Sequence, residues 1–257
     1  MKEEQVMKLT NYEVRGGLWR AGLLFSLALL AGCASGPNAN PKDPLEPFNR
    51  GVYQFNDAVD RAVLKPVATA YRDVVPSPVR TGVTNAFANA KDGWSIVNNA
   101  LQFKWQAAGD SLMRFAVNTF MGMGGILDIA SEMQIARSPE DFGQTLGHWG
   151  VGAGPYLVLP LLGPSTLRDT AALPVDGQGD LAVLVSDVPI RNSLITLNLV
   201  NQRSRFLDAS AMLEQVALDP YTFTRDAFLQ RRQNEVYDGD PPDDSSSSPF
   251  VEDYSAN

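Results

Sequence analysis

A stretch of 26 residues, 142–167, contains no Lys, Arg, Asp or Glu. A membrane-spanning helix needs about 20 consecutive apolar residues, so the length alone would suit one. However, the stretch carries six glycines and three prolines, including Pro155 and Pro160 around its most apolar part, and both residue types disfavour helix. Irregular backbone at membrane depth is tolerated only where it packs in protein or lines a wet cavity. We therefore expect an extended or re-entrant loop held against the rest of the domain.

Outside that stretch, apolar residues recur with helical spacing, and glycine or proline separates the segments. Spacings of four, three, four and three place Phe48, Val52, Phe55, Val59 and Ala62 on one face of an amphipathic helix. Strand-like alternation is scarce. The sequence therefore predicts an all-α domain built from several short helices.

The middle of the chain continues this pattern. A second helix is predicted from about Val79 to Ala90, with Val83 and Phe87 inward. After Gly93 the helical spacing resumes in two units, 94–101 and 105–119.

Two more helices are predicted near the C-terminal end. Residues 192–217 form one amphipathic helix whose buried side carries Leu197, Val200, Phe206, Leu207 and Leu213. Pro220 begins a final helix through Tyr237, because proline suits the first turn of a helix. In that helix we expect Phe223, Ala227 and Phe228 to face inward and Arg225, Arg231 and Arg232 to face outward.

The N-terminal segment predicts export and lipid attachment. Arg15 and Arg20 precede an uncharged run at 21–31 that has the length of a signal peptide. The run ends in Leu30-Ala31-Gly32-Cys33, which resembles the lipobox of bacterial lipoproteins, where the cysteine thiol takes a diacylglyceryl group. The alternative is a buried or accidental cysteine, but Cys33 is the only cysteine in the chain. Ala34, in place of aspartate, is typical of export to the outer membrane.

These observations divide the chain into four parts. We predict a signal peptide at 1–32, a tether at 33–43, a helical domain at 44–237 and a disordered acidic tail at 238–257. The sequence leaves open whether Met1 or Met7 is the start.

Charge and composition exclude several functions. With 21 basic and 29 acidic residues and no basic stripe, the chain is a poor partner for nucleic acid. One cysteine and one histidine leave no predicted metal site, and we expect no cofactor. The glycines at 150–154 lack the Lys-Ser/Thr of a phosphate-binding loop. His148, with Ser165 and Asp169 after it, suggests a hydrolase, but no G-x-S-x-G elbow surrounds a serine. A structural histidine in a loop is favoured.

A glycine-methionine run interrupts the charge-free residues 115–127. Residues 121–125 read MGMGG, so Met121 and Met123 are followed by Gly122 and by the pair Gly124-Gly125. One interpretation is a hinged hairpin that dips into one leaflet, in which the glycines reverse the chain and the methionines adapt to an acyl chain. The alternative is a turn between two buried core helices.

Arg168 and Asp169 directly follow the uncharged stretch. Either they form a surface ion pair of little energetic value, or they place Arg168 at the edge of the bilayer contact or at a polar gate. In the second case Arg168 suits a phosphate headgroup, because guanidinium binds phosphate through two parallel hydrogen bonds.

Several sequence blocks together resemble the MlaA/VacJ family of lipoproteins, in the family's order and over residues 43–237. The blocks are DPLEPFNR at 43–50, YRD at 71–73 with VP at 75–76, NTFMGMGG at 118–125, FGQTLG at 142–147, GPY at 154–156 with LP at 159–160, LRD at 167–169 and DPY at 219–221. The resemblance implies a ring of short amphipathic helices around a channel, with irregular glycine- and proline-rich loops at the membrane interface. It places the protein in the inner leaflet of the outer membrane of a Gram-negative bacterium, lipid-anchored on the periplasmic side.

The resemblance also implies a function in which no bond is made or broken. Proteins of this family associate with trimeric porins, take mislocalised phospholipids from the outer leaflet and pass them to a periplasmic carrier of the Mla pathway. Candidate residues for the lipid path or for a structural motif are Asn49, Arg50, Phe55, Asn56, Asn118, Arg168 and Asp169. The alternatives are a porin-associated structural lipoprotein that moves no lipid, and a lipid hydrolase that uses His148.

Overall fold

The computed structural model describes residues 40–180 and 185–242. The predicted signal peptide, Cys33 and residues 243–257 of the acidic tail lie outside the described residues, so the four boundaries predicted above stay predictions. The described chain divides into two compact units. One comprises residues 40–58 and 154–167, and the other comprises residues 59–153, 168–180 and 185–242.

Helices account for most of the described structure. In chain order they are α1 (Glu46–Val59), a π-helical turn (Asp60–Leu64), α2 (Lys65–Val74), α3 (Ser77–Leu101), α4 (Trp105–Phe120), α5 (Ile129–Glu132), α6 (Phe142–His148), α7 (Leu167–Asp176), a 3₁₀ turn (Gly177–Gly179), α8 (Val188–Arg205), α9 (Leu207–Val216) and α10 (Pro220–Val236). Two strands, β1 (Tyr156–Leu159) and β2 (Gly163–Thr166), form an antiparallel hairpin. The prediction of an all-α fold is confirmed. Within the described residues, no helix combines the length and apolar character needed to cross a membrane.

In the first unit, two asparagines of α1 bind the backbone of the hairpin. Asn49 Nδ2 donates to the carbonyl of Tyr156 at 3.0 Å, and its Oδ1 accepts from the amide of Val158 at 2.9 Å. Two turns later, Asn56 Nδ2 donates to the carbonyl of Leu159 and its Oδ1 accepts from the amide of Leu161. An isolated hairpin is marginally stable. The two asparagine side chains therefore make hydrogen bonds with the backbone of β1 and its turn like those that a neighbouring strand would make.

Replacing Asn49 with alanine removes three hydrogen bonds between buried groups: those to Tyr156 and Val158, and one that its Nδ2 donates to Asp43 Oδ1 at 2.8 Å. Because lost hydrogen bonds at buried polar groups cost about 1–3 kcal/mol each, we expect Asn49→Ala to lower the free energy of unfolding by about 3 kcal/mol. Asn192→Ala, at an exposed position of α8, is the control and is expected to change it by less than about 0.5 kcal/mol. Urea denaturation of the purified protein, followed by circular dichroism, measures both. Equal stability of the two variants would contradict the role given to Asn49.

The uncharged stretch at 142–167 differs from the predicted loop. Its first part is helix α6, whose first turn is capped by Asp141, the carboxylate accepting from the amide of Gln144 at 2.8 Å. Its last part is the β-hairpin, whose turn uses positive φ at Leu161 and Gly163. The prediction of an extended or re-entrant loop is wrong for residues 142–148, because the cap of this helix lies one residue outside the stretch. It missed the hairpin because prolines disfavour strands, but Pro160 lies in the turn and Pro164 in a short edge strand.

Two other helix boundaries were predicted wrongly. Gly93 does not interrupt α3, which runs unbroken through 25 residues, because its neighbours satisfy the helical hydrogen bonds and one glycine costs only about 1 kcal/mol. The helix expected over 192–217 is two helices, α8 and α9, separated at Phe206. Phe206 itself is exposed, not buried.

The interior of the described chain is unusually polar. Among the described residues, 22 buried residues are polar or charged and 11 are hydrophobic. On α3 the buried positions include Asn89, Asp92, Ser95, Asn98 and Asn99, whereas the apolar Val97 and Leu101 on the same helix are exposed. Soluble domains bury apolar side chains and expose polar ones. These helices therefore turn much of their apolar surface outward.

Helix α10 shows the same inversion. Phe223 and Ala227 are exposed and Phe228 is half-buried, whereas Arg225 and Arg232, which we expected to face outward, are buried. Arg231 is exposed, as predicted. The reason is that two carboxylates from α7 and the cap of α6 meet Arg232 inside the second unit, as described below.

Candidate functional site

An apolar groove lies in the second unit between α3 and α8. It has a volume of about 680 Å³, within the range of small-molecule sites in proteins. One face of α3 supplies most of its wall, and α8 supplies Leu194 and Leu197. The α3 residues on that wall are Pro78, Val79, Gly82, Val83, Ala86, Phe87 and Ala90. Asp180 is the only charged residue among the described residues that line it.

A second cavity, of about 440 Å³ and bordered by several charged side chains, adjoins this groove. Phe87, Ala90 and Asp180 border both cavities. We call the second cavity the polar chamber. Its described lining includes three basic side chains, Lys91, Arg231 and Arg232, and five carboxylates, Glu140, Asp141, Asp176, Asp180 and Glu235. An apolar groove next to a charged chamber suits a ligand with an apolar part and a charged part.

The glycine-methionine run positions one wall of the groove. It forms a turn between α4 and α5, and after it Ile126 lines the groove. The turn is fixed by hydrogen bonds from the amide of Gly125 to the carbonyl of Asn118 and from Asn85 Nδ2 to the carbonyl of Ile126. Met121 and Met123 are exposed. The run is thus a closely bonded turn whose methionines face outward.

The three glycines of the turn have different surroundings. A Cβ at Gly122 would collide with the backbone carbonyls of Leu127 and Asn118, and one at Gly125 would lie 2.7 Å from Asn89 Cβ. Gly124 has open space around it, with φ of +72°. Alanine therefore has room only at Gly124. A hinge role for Gly122, Gly124 and Gly125 stays a proposal, and Gly124 is where it is testable without disturbing the packing.

These surroundings predict unequal effects of alanine. We expect Gly124→Ala to lower the free energy of unfolding by about 1–2 kcal/mol, the cost of a left-handed conformation for a residue with a Cβ. Gly125→Ala has the same backbone cost, since its φ is +91°, and adds the clash with Asn89, so its loss is expected to be larger. Thermal unfolding of the two variants side by side checks this order. A reversed order would contradict the described packing of the turn.

Asn118 anchors the same turn from α4. Its Nδ2 donates to Asp128 Oδ1 at 3.0 Å, and its Oδ1 accepts from the amide of Ala130 at 2.9 Å. One turn earlier, the buried Arg114 donates to both oxygens of Asp128 and to the carbonyl of Ile135. Side chains of α4 thus hold the chain from Asp128 to Ile135 against it.

A buried ion-pair cluster borders the polar chamber. Arg232 of α10 donates to both oxygens of Asp141 at 2.6 and 2.7 Å and to both oxygens of Asp169 at 3.0 Å. Arg168 donates to Asp169 Oδ1 at 3.0 Å. Gly143 allows this approach, because a Cβ there would lie 2.5 Å from Arg232 Nη2. The cluster ties α6, α7 and α10 together.

The electrostatics of the cluster favour charged side chains. Burial raises the pKa of Asp141, but hydrogen bonds and charge from Arg232 outweigh burial, so the net pKa is lower than that of an ordinary aspartate. Burial alone would lower the pKa of Arg232, yet Asp141 and Asp169 raise it well above its ordinary value. Both groups are therefore ionised at neutral pH.

The lowered pKa of Asp141 predicts an acid dependence. Its stabilising contribution is fully present above the pKa of the unfolded chain, about 3.9, and is lost as pH falls through the lower pKa of the folded state. Asp141→Asn keeps a capping side chain but removes the charge. We expect the difference in free energy of unfolding between the wild type and Asp141→Asn to shrink as pH falls from about 5 to about 2. A constant difference, measured by urea denaturation across this range, would contradict the assignment.

Comparison with known proteins places these features in a family. The family model described as MlaA lipoprotein matches residues 41–235. The chain belongs to the MlaA lipoprotein family. A relative in Shigella flexneri, the intermembrane phospholipid transport system lipoprotein MlaA, is 39% identical over 223 residues, covering 82% of this chain and 86% of that protein. The protein of the same name in Haemophilus influenzae is 32% identical over 243 residues, covering 88% of this chain and 93% of that protein.

A solved structure agrees with the sequence relatives. It is described as the structural basis for maintenance of bacterial outer membrane lipid asymmetry, and it superposes with a TM-score of 0.67 at 37% identity. The match covers 76% of this chain and 98% of the other. The helical fold is therefore that of an MlaA lipoprotein.

In this MlaA-family chain, most of the predicted site residues stabilise the fold. Asn49 and Asn56 bind the hairpin, Asn118 binds the turn, and Arg168 and Asp169 are buried in the ion-pair cluster. Arg168 is therefore not a surface ion pair, and its partner Asp169 is shared with Arg232. None of these five residues lines the groove or the polar chamber, as far as the described lining extends.

The remaining predicted residues lie nearer the surface of the first unit. Phe55 is exposed, and Arg50 is half-buried and donates to Glu46 at 2.7 Å, one turn earlier on α1. Their assignment to the lipid path stays a proposal.

His148 does not lie in a loop, as the sequence suggested. It is the last residue of α6 and is exposed. Both oxygens of Asp169 accept hydrogen bonds from Arg232, so Asp169 is committed to the ion-pair cluster. A catalytic pair of His148 with Asp169 has no support in this geometry.

Sequence reasoning missed the residues that build the two cavities. Val79, Val83 and Phe87 fall on one face of α3 by their spacing, but the groove also needs Leu194 and Leu197, more than 100 residues later. Arg232 was assigned to the surface. Its burial could have been inferred from its spacing: Arg232 lies seven residues, or two helical turns, after Arg225, which is also buried on the same face of α10.

Proposed function

We propose that this chain removes mislocalised phospholipids from the outer leaflet of the outer membrane and passes them to a periplasmic carrier, and so maintains lipid asymmetry. The observation that carries the proposal is the pair of adjoining cavities in the second unit. The groove accepts an acyl chain, and the polar chamber beside it accepts a headgroup. The names of the relatives, which belong to an intermembrane phospholipid transport system, support the same function.

The exposed apolar surface supports a position inside one leaflet. Phe120 at the end of α4 is 86% exposed, and Trp105 at its start is 67% exposed. Exposed apolar surface on this scale marks contact with a membrane or another protein. We attribute it to the inner leaflet of the outer membrane, with a lipid anchor at Cys33 as a second attachment. Association with trimeric porins is part of the proposal and would use the same apolar surface.

Transfer in this proposal needs no catalytic residue. The cavities offer apolar contact and charge, and lipid moves between them without a covalent step. The buried cation of the chamber, Arg232, is engaged by Asp141 and Asp169, so it holds the structure and is not available to a phospholipid.

The test compares cells that lack the gene with cells that carry it on a plasmid. Outer-leaflet phospholipid is measured by an enzyme that modifies only surface-exposed lipid, and envelope integrity by sensitivity to detergent with chelator. We expect both to rise in the deletion strain and to return to normal on complementation. Unchanged outer-leaflet phospholipid in the deletion strain would refute transport and favour a structural lipoprotein. Release of fatty acid by the purified protein, lost in His148→Ala, would favour a hydrolase.

A further inference from the structure

The polar chamber carries an excess of negative charge. Among its described lining residues, five carboxylates face three basic side chains. The ion-pair partners outside the chamber are Lys104, Arg168, Asp169 and Asp238, and they add two charges of each sign. The described lining thus has an excess of two negative charges.

The basic groups of the chamber differ in how firmly they are engaged. Arg232 is held by Asp141 and Asp169, and Arg231 lies 3.3 Å from Glu235. Lys91 is exposed, and within the described residues it has no ion-pair partner. A compact ammonium of this kind binds phosphate as a point charge. Lys91 is thus the group available to the phosphate of a ligand.

An aromatic ring and carboxylates lie in the same chamber. Trp94 lines it and donates through Nε1 to Asp176 Oδ1 at 2.8 Å. The ring is held in place by Gly179, where a Cβ would collide with the ring atoms. Asp180 follows Gly179 directly and is exposed at the border with the apolar groove. Aromatic faces and carboxylates together favour organic cations.

We infer that the polar chamber selects phospholipids whose headgroup carries an ammonium group, with the phosphate at Lys91 and the ammonium near Trp94 and Asp180. Zwitterionic lipids such as phosphatidylethanolamine satisfy this, whereas phosphatidylglycerol brings a net negative charge into a negative site. Like charges in a partly buried site repel more than they do in water. The inference rests on the proposed function and adds the headgroup class to it.

The test measures which lipid the purified full-length lipoprotein retains. The protein in detergent is mixed with equal amounts of phosphatidylethanolamine and phosphatidylglycerol, repurified, and its bound lipid is quantified by mass spectrometry. We expect about a threefold or larger excess of phosphatidylethanolamine at low salt, and a smaller excess at high salt, because ions screen the field. Asp180→Lys removes the negative excess and is expected to bring the ratio close to one.

Two further variants keep the result interpretable. Asp110→Lys makes the same charge change on α4, outside the described lining of both cavities, and is expected to keep the wild-type ratio. Asp180→Asn removes one negative charge without adding a positive one, and it replaces Asp180→Lys in the test if that variant lowers the melting temperature. Equal retention of the two lipids, a preference for phosphatidylglycerol, or a ratio unmoved by both Asp180 variants would overturn the headgroup inference and leave transport standing. Retention of no lipid by any protein would overturn both.

Discussion

Replacing Arg232 with methionine is expected to lower the free energy of unfolding by about 3 kcal/mol, the lower end of the cost of breaking a buried ion pair. The lower end applies because the buried Asp169 keeps Arg168 and the Asp141 side chain is partly exposed. Arg232 is 8% exposed and donates to both oxygens of Asp141 and of Asp169. Methionine has a similar length and no charge, so loss of packing is small. Urea denaturation of the purified protein measures the change.

The matched control is the neighbouring arginine. Arg231 has a side chain 66% exposed and one contact with Glu235 at 3.3 Å. Exposed pairs of this kind are worth at most about 1 kcal/mol, so Arg231→Met is expected to leave stability nearly unchanged. If the two variants unfold at the same denaturant concentration, the cluster around Arg232 does not hold α6, α7 and α10 together.

Filling the apolar groove is expected to abolish transport without unfolding the protein. Ala86 lies on the groove face of α3, so Ala86→Trp places an indole where we propose that an acyl chain lies. We expect outer-leaflet phospholipid in cells with this variant to equal that of the deletion strain. Because the new side chain enters a groove of about 680 Å³ and not the packed interior, we expect the melting temperature to stay within a few degrees of the wild type.

The control for this variant lies on the same helix. Thr81 is exposed and is not among the described residues that line the groove, so Thr81→Trp adds the same indole elsewhere. It is expected to complement the deletion fully. Normal lipid asymmetry with Ala86→Trp, at wild-type protein levels, would show that phospholipid takes another route.

Local sequence predicted where the helices lie, but it did not predict which face of each helix is buried. Spacing predicted a helix over 105–119, and α4 is Trp105–Phe120. Pro220 was predicted to begin the last helix and does so, with Asp219 as its cap. Periodicity identifies an apolar stripe but not what the stripe faces. In α10 the stripe with Phe223 faces outward and Arg232 faces inward, which reverses the rule for soluble helices.

The candidate site was predictable only in part. The sequence located the glycine-methionine turn, and the structure shows that its Ile126 borders the groove. The groove itself joins α3 to α8, and the ion-pair cluster joins Asp141, Asp169 and Arg232. Such pairings depend on tertiary packing over about 60–110 positions of the chain, and neither charge pattern nor spacing encodes them locally.

In the proposed lipid path, the acyl chain of a phospholipid lies in the groove between α3 and α8. The most direct measurement is photocrosslinking of the purified lipoprotein with a phospholipid that carries a photoreactive group at the end of one acyl chain. We predict that mass spectrometry finds the label on the groove residues of α3 and on Leu194 or Leu197 of α8, and that Ala86→Trp removes it. Label confined to exposed apolar residues such as Trp105 and Phe120, with none in the groove, would contradict the claim.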